Sequence, residues 1–271
     1  MKMRWMGILA LTVLCVSSLR SFGQTGQITG IGHIAYRVSD LDKEVAFLGK
    51  LGYEESFGFT DAAGKTTEVF VKVNDREFIE IYPQTDPAQP LGWMHVCYEA
   101  DDINGLVASL TAHGLQPKPV RKAGAGNLIS SLDDPEKRVT EFTQYMSGSR
   151  HTLDKGLHLG QHRVSDKLLG FEVPVPDVEA ARKFYVAGLG FEAREGREGL
   201  RLSLPGAPDL RIQIRAAAAC GGPETLFRVT DTEKTAEQLK ALGIAAKQER
   251  NRVLVSDPDG NVFAFVAPRN R

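Results

Sequence analysis

Apolar and polar positions along this chain change period four times in the same order. IGHIAYRVSDLDKEVAFLGKLGY (residues 31–53), MHVCYEADDINGLVASLTAHGL (94–115), LLGFEVPVPDVEAARKFYVAGLGF (168–191) and LFRVTDTEKTAEQLKALGI (226–244) each open on a short apolar run that predicts a strand. Apolar residues three or four apart follow, the spacing of an amphipathic helix: Leu41, Val45 and Leu48 share one face, as do Ile103, Leu106 and Leu110. Between strand and helix stands a residue able to accept the unpaired amide hydrogens of a first turn: Ser39 or Asp40, Asp101 or Asp102, Asp177, and Asp231 or Thr232. Each helix closes at a glycine suited to the left-handed conformation, Gly52, Gly114, Gly190 and Gly243.

Strand-like segments come after each glycine: TTEVFVKVN and EFIEIYP, NLISSLDD and KRVTEFTQY, LRLSL and LRIQIR, RVLVSD and NVFAFVAP. The repeat therefore predicts an α+β chain of four βαβββ modules. A small open sheet with one helix leaves a face uncovered, so modules should pair around a common interior and form two domains. The expected boundaries are residues 28–147 for the first domain and 167–268 for the second, with the polar, glycine-containing stretch 148–166 as linker. Whether modules pair within one chain or between chains stays open, and so does a homodimer.

Residues 1–23 differ from the rest. Lys2 and Arg4 precede an apolar core from Trp5 to Val16 and a polar end at Gly23, the order of a cleaved signal peptide, and the core falls short of the roughly 20 residues of a membrane span. The expectation is an exported protein without a membrane span. Cys15 lacks the small preceding residues usual for lipidation, and removal of the leader leaves Cys97 and Cys220, too few for a disulfide scaffold. A formal net charge of -1, with no long run of one sign, gives no footprint for nucleic acid.

Repetition then points to chemistry. His33 and His95 are 62 residues apart, as are Gly52 and Gly114, while Glu80 and Glu141 are 61 apart. Strand alternation puts His33 with Ala35 and Arg37, Glu80 with Phe78 and Tyr82, and Glu141 with Val139, Thr143 and Tyr145. Ile79, Ile81 and Phe142 then face the helices, leaving both glutamates in the interior, where two carboxylates need a compensating cation. His33, Glu80, His95 and Glu141 are accordingly expected to hold one divalent metal ion: zinc, nickel, manganese, cobalt or iron. In the second domain the corresponding positions read as Phe171, Gln213, Phe227 and Ala264, with neither acid nor imidazole, so that half is expected to be degenerate.

GHIAYRVSDLDKEVAF, MHVCYEADD, DDPEKRVTEF and SDPDGNVFAF together resemble the vicinal oxygen chelate superfamily, which includes glyoxalase I, extradiol dioxygenases and bleomycin resistance proteins; the resemblance spans about residues 28 to 268. It implies cupped, partly open barrels with His33, His95 and Glu141 at the usual metal positions and Glu80 as a fourth ligand. It also implies that Arg37, beside His33 on one strand face, meets an anionic substrate. Tyr82, Thr143 and Tyr145 face the same interior and are candidate substrate contacts.

Such a metal, binding two vicinal oxygens of a small molecule, could stabilise an enediolate while Glu141 or Glu80 moves a proton between adjacent carbons, as in a lyase or isomerase. Two alternatives stand beside this reading. A facial triad of His33, His95 and Glu141 would suit a non-heme Fe(II) dioxygenase, although AGAGNLISSLDDP lacks the His and Tyr of ring-cleaving relatives. The fold also serves small-molecule binding and resistance proteins without turnover. Export argues against a cytoplasmic glutathione adduct as substrate.

Other residues read as structural. His158 and His162 have metal-like spacing but lie in the linker and are expected at the surface. His113 suits a helix C-terminus, and Cys97, placed off the His95 face, reads as a small core hydrophobe. No glycine-rich stretch continues into a phosphate loop.

Overall fold

The computed structural model describes residues 26–196, 199–204, 206–217 and 221–267. The expected signal peptide, with Cys15, and also Cys220 lie outside the described residues. No described helix is long and apolar enough to cross a membrane.

The first half runs β1 (Ile28–Val38), α1 (Leu41–Lys50), β2 (Glu54–Thr60), β3 (Thr66–Lys72), β4 (Phe78–Pro83), β5 (Gly92–Ala100), α2 (Ile103–Ala112), β6 (Arg121–Lys122), β7 (Leu128–Asp133) and β8 (Val139–Gln144). Its eight strands form one sheet in the order β2-β3-β4-β1-β5-β8-β7-β6. The parallel pairs β1–β4 and β5–β8 belong to single modules, and the antiparallel pair β1–β5 joins the two. Modules thus pair within the chain, as β1 and β5 cover each other's free edges.

After α3 (Arg150–Leu153), the plan repeats as β9 (Leu168–Val175), α4 (Val178–Arg182), β10 (Glu192–Gly196), β11 (Gly199–Leu204), β12 (Ala207–Ala216), β13 (Glu224–Arg228), α5 (Thr232–Ala241), β14 (Ala246–Glu249), β15 (Arg252–Ser256) and β16 (Val262–Val266). The second sheet has the matching order β10-β11-β12-β9-β13-β16-β15-β14. A π-helical turn, Lys183–Gly188, continues α4.

Local chemistry fixes the helices where the pattern puts them. Asp40, Asp102, Asp177 and Asp231 are the N-caps, each with its carboxylate accepting amide hydrogens of the first turn. Gly52 follows α1 at φ 88° and Gly114 follows α2 at φ 85°, a conformation that side chains with Cβ resist.

Each sheet has two unlike faces. In the first, Ile34, Tyr36, Ile79, Ile81, Val96, Tyr98 and Phe142 form the apolar face. The equivalent face of the second sheet meets it, and the halves share a continuous core. Tyr36 packs edge-on to Phe263 at 5.6 Å, and Tyr98 meets Phe191 at 5.7 Å. Such aromatic pairs add about 0.5–1.5 kcal/mol each beyond the area they bury. The opposite, concave face of the first sheet carries His33, Glu80, His95 and Glu141.

The segment expected to be a plain linker is in part built into the first half. Lys72, fully buried, donates to the carbonyls of Asp154 and of Leu157 (2.8 Å), and pairs with the carboxylates of Asp154 (3.1 Å) and Asp75 (2.9 Å). His151 and Asp154 are buried. His162 is exposed, and His158 lies 3.4 Å from Asp154 with its side chain 44% exposed.

Candidate metal centre and its cavity

The four central strands β4, β1, β5 and β8 each supply one donor, and their register explains why the donors meet. Glu80 lies opposite Ala35, and Ala35 opposite His95; His33 lies opposite Cys97, and Cys97 opposite Glu141. These are two rows of three across one face, each with a small residue in the middle. The long outer side chains therefore converge above Ala35 and Cys97, both fully buried.

The convergence is close. Glu80 Oε2 lies 3.1 Å from both His33 Nε2 and His95 Nε2, and the two Nε2 atoms are 3.1 Å apart. Glu141 Oε2 stands 3.4 Å from His33 Nε2 and 3.6 Å from His95 Nε2. Donors about 2.1 Å from a common centre are separated by roughly 3.0 Å at octahedral and 3.4 Å at tetrahedral angles. The buried Glu80 Oε2 faces both imidazole nitrogens, and two imidazole nitrogens facing each other can share only one proton. This set of two imidazoles and two carboxylates fits one divalent cation.

Electrostatics agree. Burial works against charge on both His33 and Glu80, yet their surroundings prevail. His33 is raised well above the usual imidazole value, with burial opposing and Cys97 and then Glu80 favouring its charge. Glu80 is held well below the usual carboxylate range, with burial opposing and His33 and His95 favouring ionisation. The cluster demands positive charge, which protons or a cation would provide.

A cavity of ≈ 230 Å³ opens beside the donors. Its wall includes His33, Glu80 and Glu141, but not His95, together with Tyr82, Thr143 and Tyr145. Burial and then Glu80 push the Tyr82 phenol up. Tyr145 Oη donates to the Arg76 carbonyl at 2.8 Å and Thr143 Oγ1 to that of Leu128 at 3.5 Å, so both hydroxyls already have protein partners.

Arg37 departs from expectation. It is not part of the cavity wall; its guanidinium donates to the Pro90 carbonyl at 3.2 Å. The cation on the wall is Arg121 of β6. Period two places Arg37 on the His33 face, opposite Tyr82, but its guanidinium is held by the Pro90 carbonyl instead of reaching the cavity.

Three further residues were missed. Cys97 belongs to the His95 face, two residues on, and its sulfur lies with His33 and Glu141 donors in a group spanning at most 4.8 Å; strict period two would have found it. Burial pushes its thiol up to about 12. Glu68 lines the cavity from β3, its carboxyl pushed up to about 9 by burial and then by Glu80. His151 reaches the wall from the expected linker, and no periodicity signals it.

The second half corrects the sequence comparison. Register makes Gly170, not Phe171, the counterpart of His33, and Glu224, not Phe227, that of His95; Gln213 and Ala264 stand as expected for Glu80 and Glu141. An odd slip turns a strand over, and Phe171 and Phe227 face the shared core. The signal was available: His33 and His95 each stand seven residues before their N-cap aspartates, and so do Gly170 and Glu224. An acid is therefore present. Glu224 and its neighbour Glu172 pair with Arg252, at 2.9 and 3.5 Å, and with Arg215, at 3.7 and 3.6 Å. Among the described residues, the groups able to hold a metal lie only in the first half.

The family model described as Glyoxalase/Bleomycin resistance protein/Dioxygenase superfamily matches residues 32–130, and a second model of that description matches 167–265. Among solved structures, the Mn(II)-bound glyoxalase of Novosphingobium aromaticivorans is 19% identical with a TM-score of 0.66, covering 89% of this chain and 83% of its own. The 2,3-dioxygenase LapB of Pseudomonas sp. KL28 is 16% identical with a TM-score of 0.68, covering 90% and 93%. A catechol 2,3-dioxygenase is 15% identical with a TM-score of 0.66, covering 90% and 91%. At these identities the likeness is one of fold. No curated protein matches the chain.

Proposed function

The chain belongs to the glyoxalase/bleomycin resistance protein/dioxygenase superfamily, and from that premise we propose a metal-dependent lyase or isomerase acting on a small molecule with two vicinal oxygens. The observation that carries this reading is the convergence of His33, His95, Glu80 and Glu141, with carboxylate oxygens of both glutamates 3.1 to 3.6 Å from the two imidazole nitrogens. A divalent ion held by these four would supply Lewis acidity to two adjacent substrate oxygens.

The residues divide the remaining work. Glu80, with its side chain 4% exposed, lies deep and serves to hold charge; Glu141, at 17%, borders the open cavity and is the better placed base. Its carboxylate takes a proton from one carbon and returns it to the neighbouring carbon, so the reaction is redox-neutral overall. Phe59, Phe70 and Ile129 line the cavity and limit water around the exchanged proton.

A dioxygenase is the second reading. It is favoured by the tighter grouping of His33, His95 and Glu80, all at 3.1 Å, with Glu141 farther away, since two imidazoles and one carboxylate form the facial triad of Fe(II) oxygenases; Glu80 then takes the place expected of Glu141.

Elemental analysis of anaerobically purified protein tests both. One equivalent of zinc, nickel, manganese or cobalt is expected for the first reading and one of iron for the second. His95→Ala should abolish stoichiometric binding, whereas Gln213→Ala should leave it. Absence of metal even after reconstitution overturns both enzyme readings and leaves a binding protein.

A further inference from the structure

His151 is a buried imidazole outside the donor set, and its hydrogen bonding can be traced atom by atom. It is 4% exposed and forms part of the cavity wall. Tyr145 stacks on it at 5.0 Å, and Phe57, Phe70 and Phe78 stand nearly perpendicular to it at 4.8 to 5.0 Å. Phe70 also touches the His33 ring, at 5.8 Å, so a single phenyl separates His151 from the candidate centre.

Asn127 determines which nitrogen carries the proton. Its Oδ1 accepts from the Met146 amide at 3.1 Å, which orients the side-chain amide and leaves Nδ2 to face His151 Nδ1 at 2.9 Å. Nδ2 can only donate, so Nδ1 accepts, and a neutral imidazole then carries hydrogen on Nε2. Burial among aromatic rings pushes the imidazole down to about 3, in keeping with neutrality. Nε2 itself is buried and has no hydrogen-bond partner. An unpaired buried donor costs about 1–3 kcal/mol, so nearly all such groups are satisfied by something.

We infer that His151 is a substrate-binding residue whose Nε2–H, covered by its neighbours in this structure, is uncovered on binding and donates to an acceptor oxygen of the substrate, remote from the vicinal pair. The inference rests on the function proposed above and narrows the substrate to a molecule with at least one further carbonyl or carboxylate oxygen. A substrate offering only donor groups there would find no acceptor on this imidazole. Asn127 is the positioning residue, acting through the tautomer it imposes.

Two 2-oxo acids provide the test, because they share a chelating pair and differ in the remote oxygens. 2-Oxoglutarate carries a distal carboxylate, and 2-oxobutyrate does not. With the full chain loaded with Co(II), each is titrated by visible absorption. Wild type should bind 2-oxoglutarate more tightly; His151→Phe should weaken it about tenfold, the scale of one hydrogen bond, and leave 2-oxobutyrate within about twofold. His151→Gln, which restores an N–H, should recover most of the loss.

A histidine that merely packs would lower the thermal midpoint in His151→Phe without altering the ratio of the two affinities, and that result overturns the inference. Should His151→Phe fail to fold, the zinc-loaded wild type with ¹⁵N-labelled histidine decides. Its Nε2–H resonance should move with 2-oxoglutarate and stay in place with 2-oxobutyrate; no movement, or a hydrogen on Nδ1, overturns it. If neither acid binds the wild-type protein although Co(II) does, the chelating function falls and takes this inference with it.

Discussion

At the scale of single residues, the centre depends on the small size of two side chains that stand between its donors. Ala35 separates Glu80 from His95 along one row, and Cys97 separates His33 from Glu141 along the next. Their small size leaves the space into which four long side chains lean. Ala35→Leu should therefore abolish metal binding without altering a ligand, by filling the point of convergence; overpacking also costs about 1–3 kcal/mol in stability. Equilibrium dialysis with Zn(II), beside a thermal melt, checks this: a destabilised variant retaining one equivalent would refute the packing argument. The histidines and glutamates were legible in the sequence because their repeat is periodic, whereas Cys97 and Glu68 were legible in principle and passed over. Arg37 shows the limit of face assignment, which reports the side of a strand but not where a long side chain then turns.

At the scale of elements, the repeating plan of strand, capped helix and glycine was legible because each piece depends on local physics. An aspartate satisfies the first turn, apolar spacing defines the buried stripe, and a glycine takes a positive φ. The edge strands were harder to read. β6 is two exposed residues, Arg121 and Lys122, and β2 reads EESFGFT, with half-buried positions and no clean alternation. Least legible was α3, a four-residue helix held by a distant ammonium. Lys72 binds the Asp154 and Leu157 carbonyls and two carboxylates, and so fixes the segment that brings His151 to the cavity. Lys72→Met should strand those carboxylates and cost about 3–5 kcal/mol. Urea unfolding measures the total, and hydrogen exchange should show the loss of protection concentrated between residues 149 and 158; uniform loss across the first sheet would contradict this role.

At the scale of the whole molecule, the two halves meet through more than aromatic packing. Asp259, in the turn after β15, accepts from the Ser39 amide at 2.7 Å and from its hydroxyl at 2.6 Å, just ahead of α1. Beside it Glu44 of α1 is 2% exposed, and burial followed by the Asp257 charge pushes its carboxyl up to about 9. Burial likewise raises Asp257. A carboxyl raised on folding binds a proton that the unfolded chain releases above its ordinary value of 4.5. Its contribution is full below that value and declines as pH rises towards 9. Stability should accordingly fall between pH 5 and 9, and Glu44→Gln should flatten that fall, gaining about 1–3 kcal/mol at the alkaline end. Urea midpoints of both proteins across this range provide the check, and parallel curves would dismiss Glu44 as the cause.

The sequence by itself determined the four modules, their capped helices, and the shared interior toward which His33, Glu80, His95 and Glu141 point. Each of these follows from period, spacing and the chemistry of neighbouring residues. The seven-residue spacing to each N-cap aspartate also marks Gly170 and Glu224 as the matching places in the second half, and the tertiary structure shows the face reversal that an odd slip would cause. Only the tertiary structure decided that Glu172 and Glu224 there are answered by arginines from other strands, that Arg121 rather than Arg37 reaches the cavity, and that His151 closes its wall. These facts arise from chain segments far apart in sequence, and such encounters are set by packing, which has no period to read.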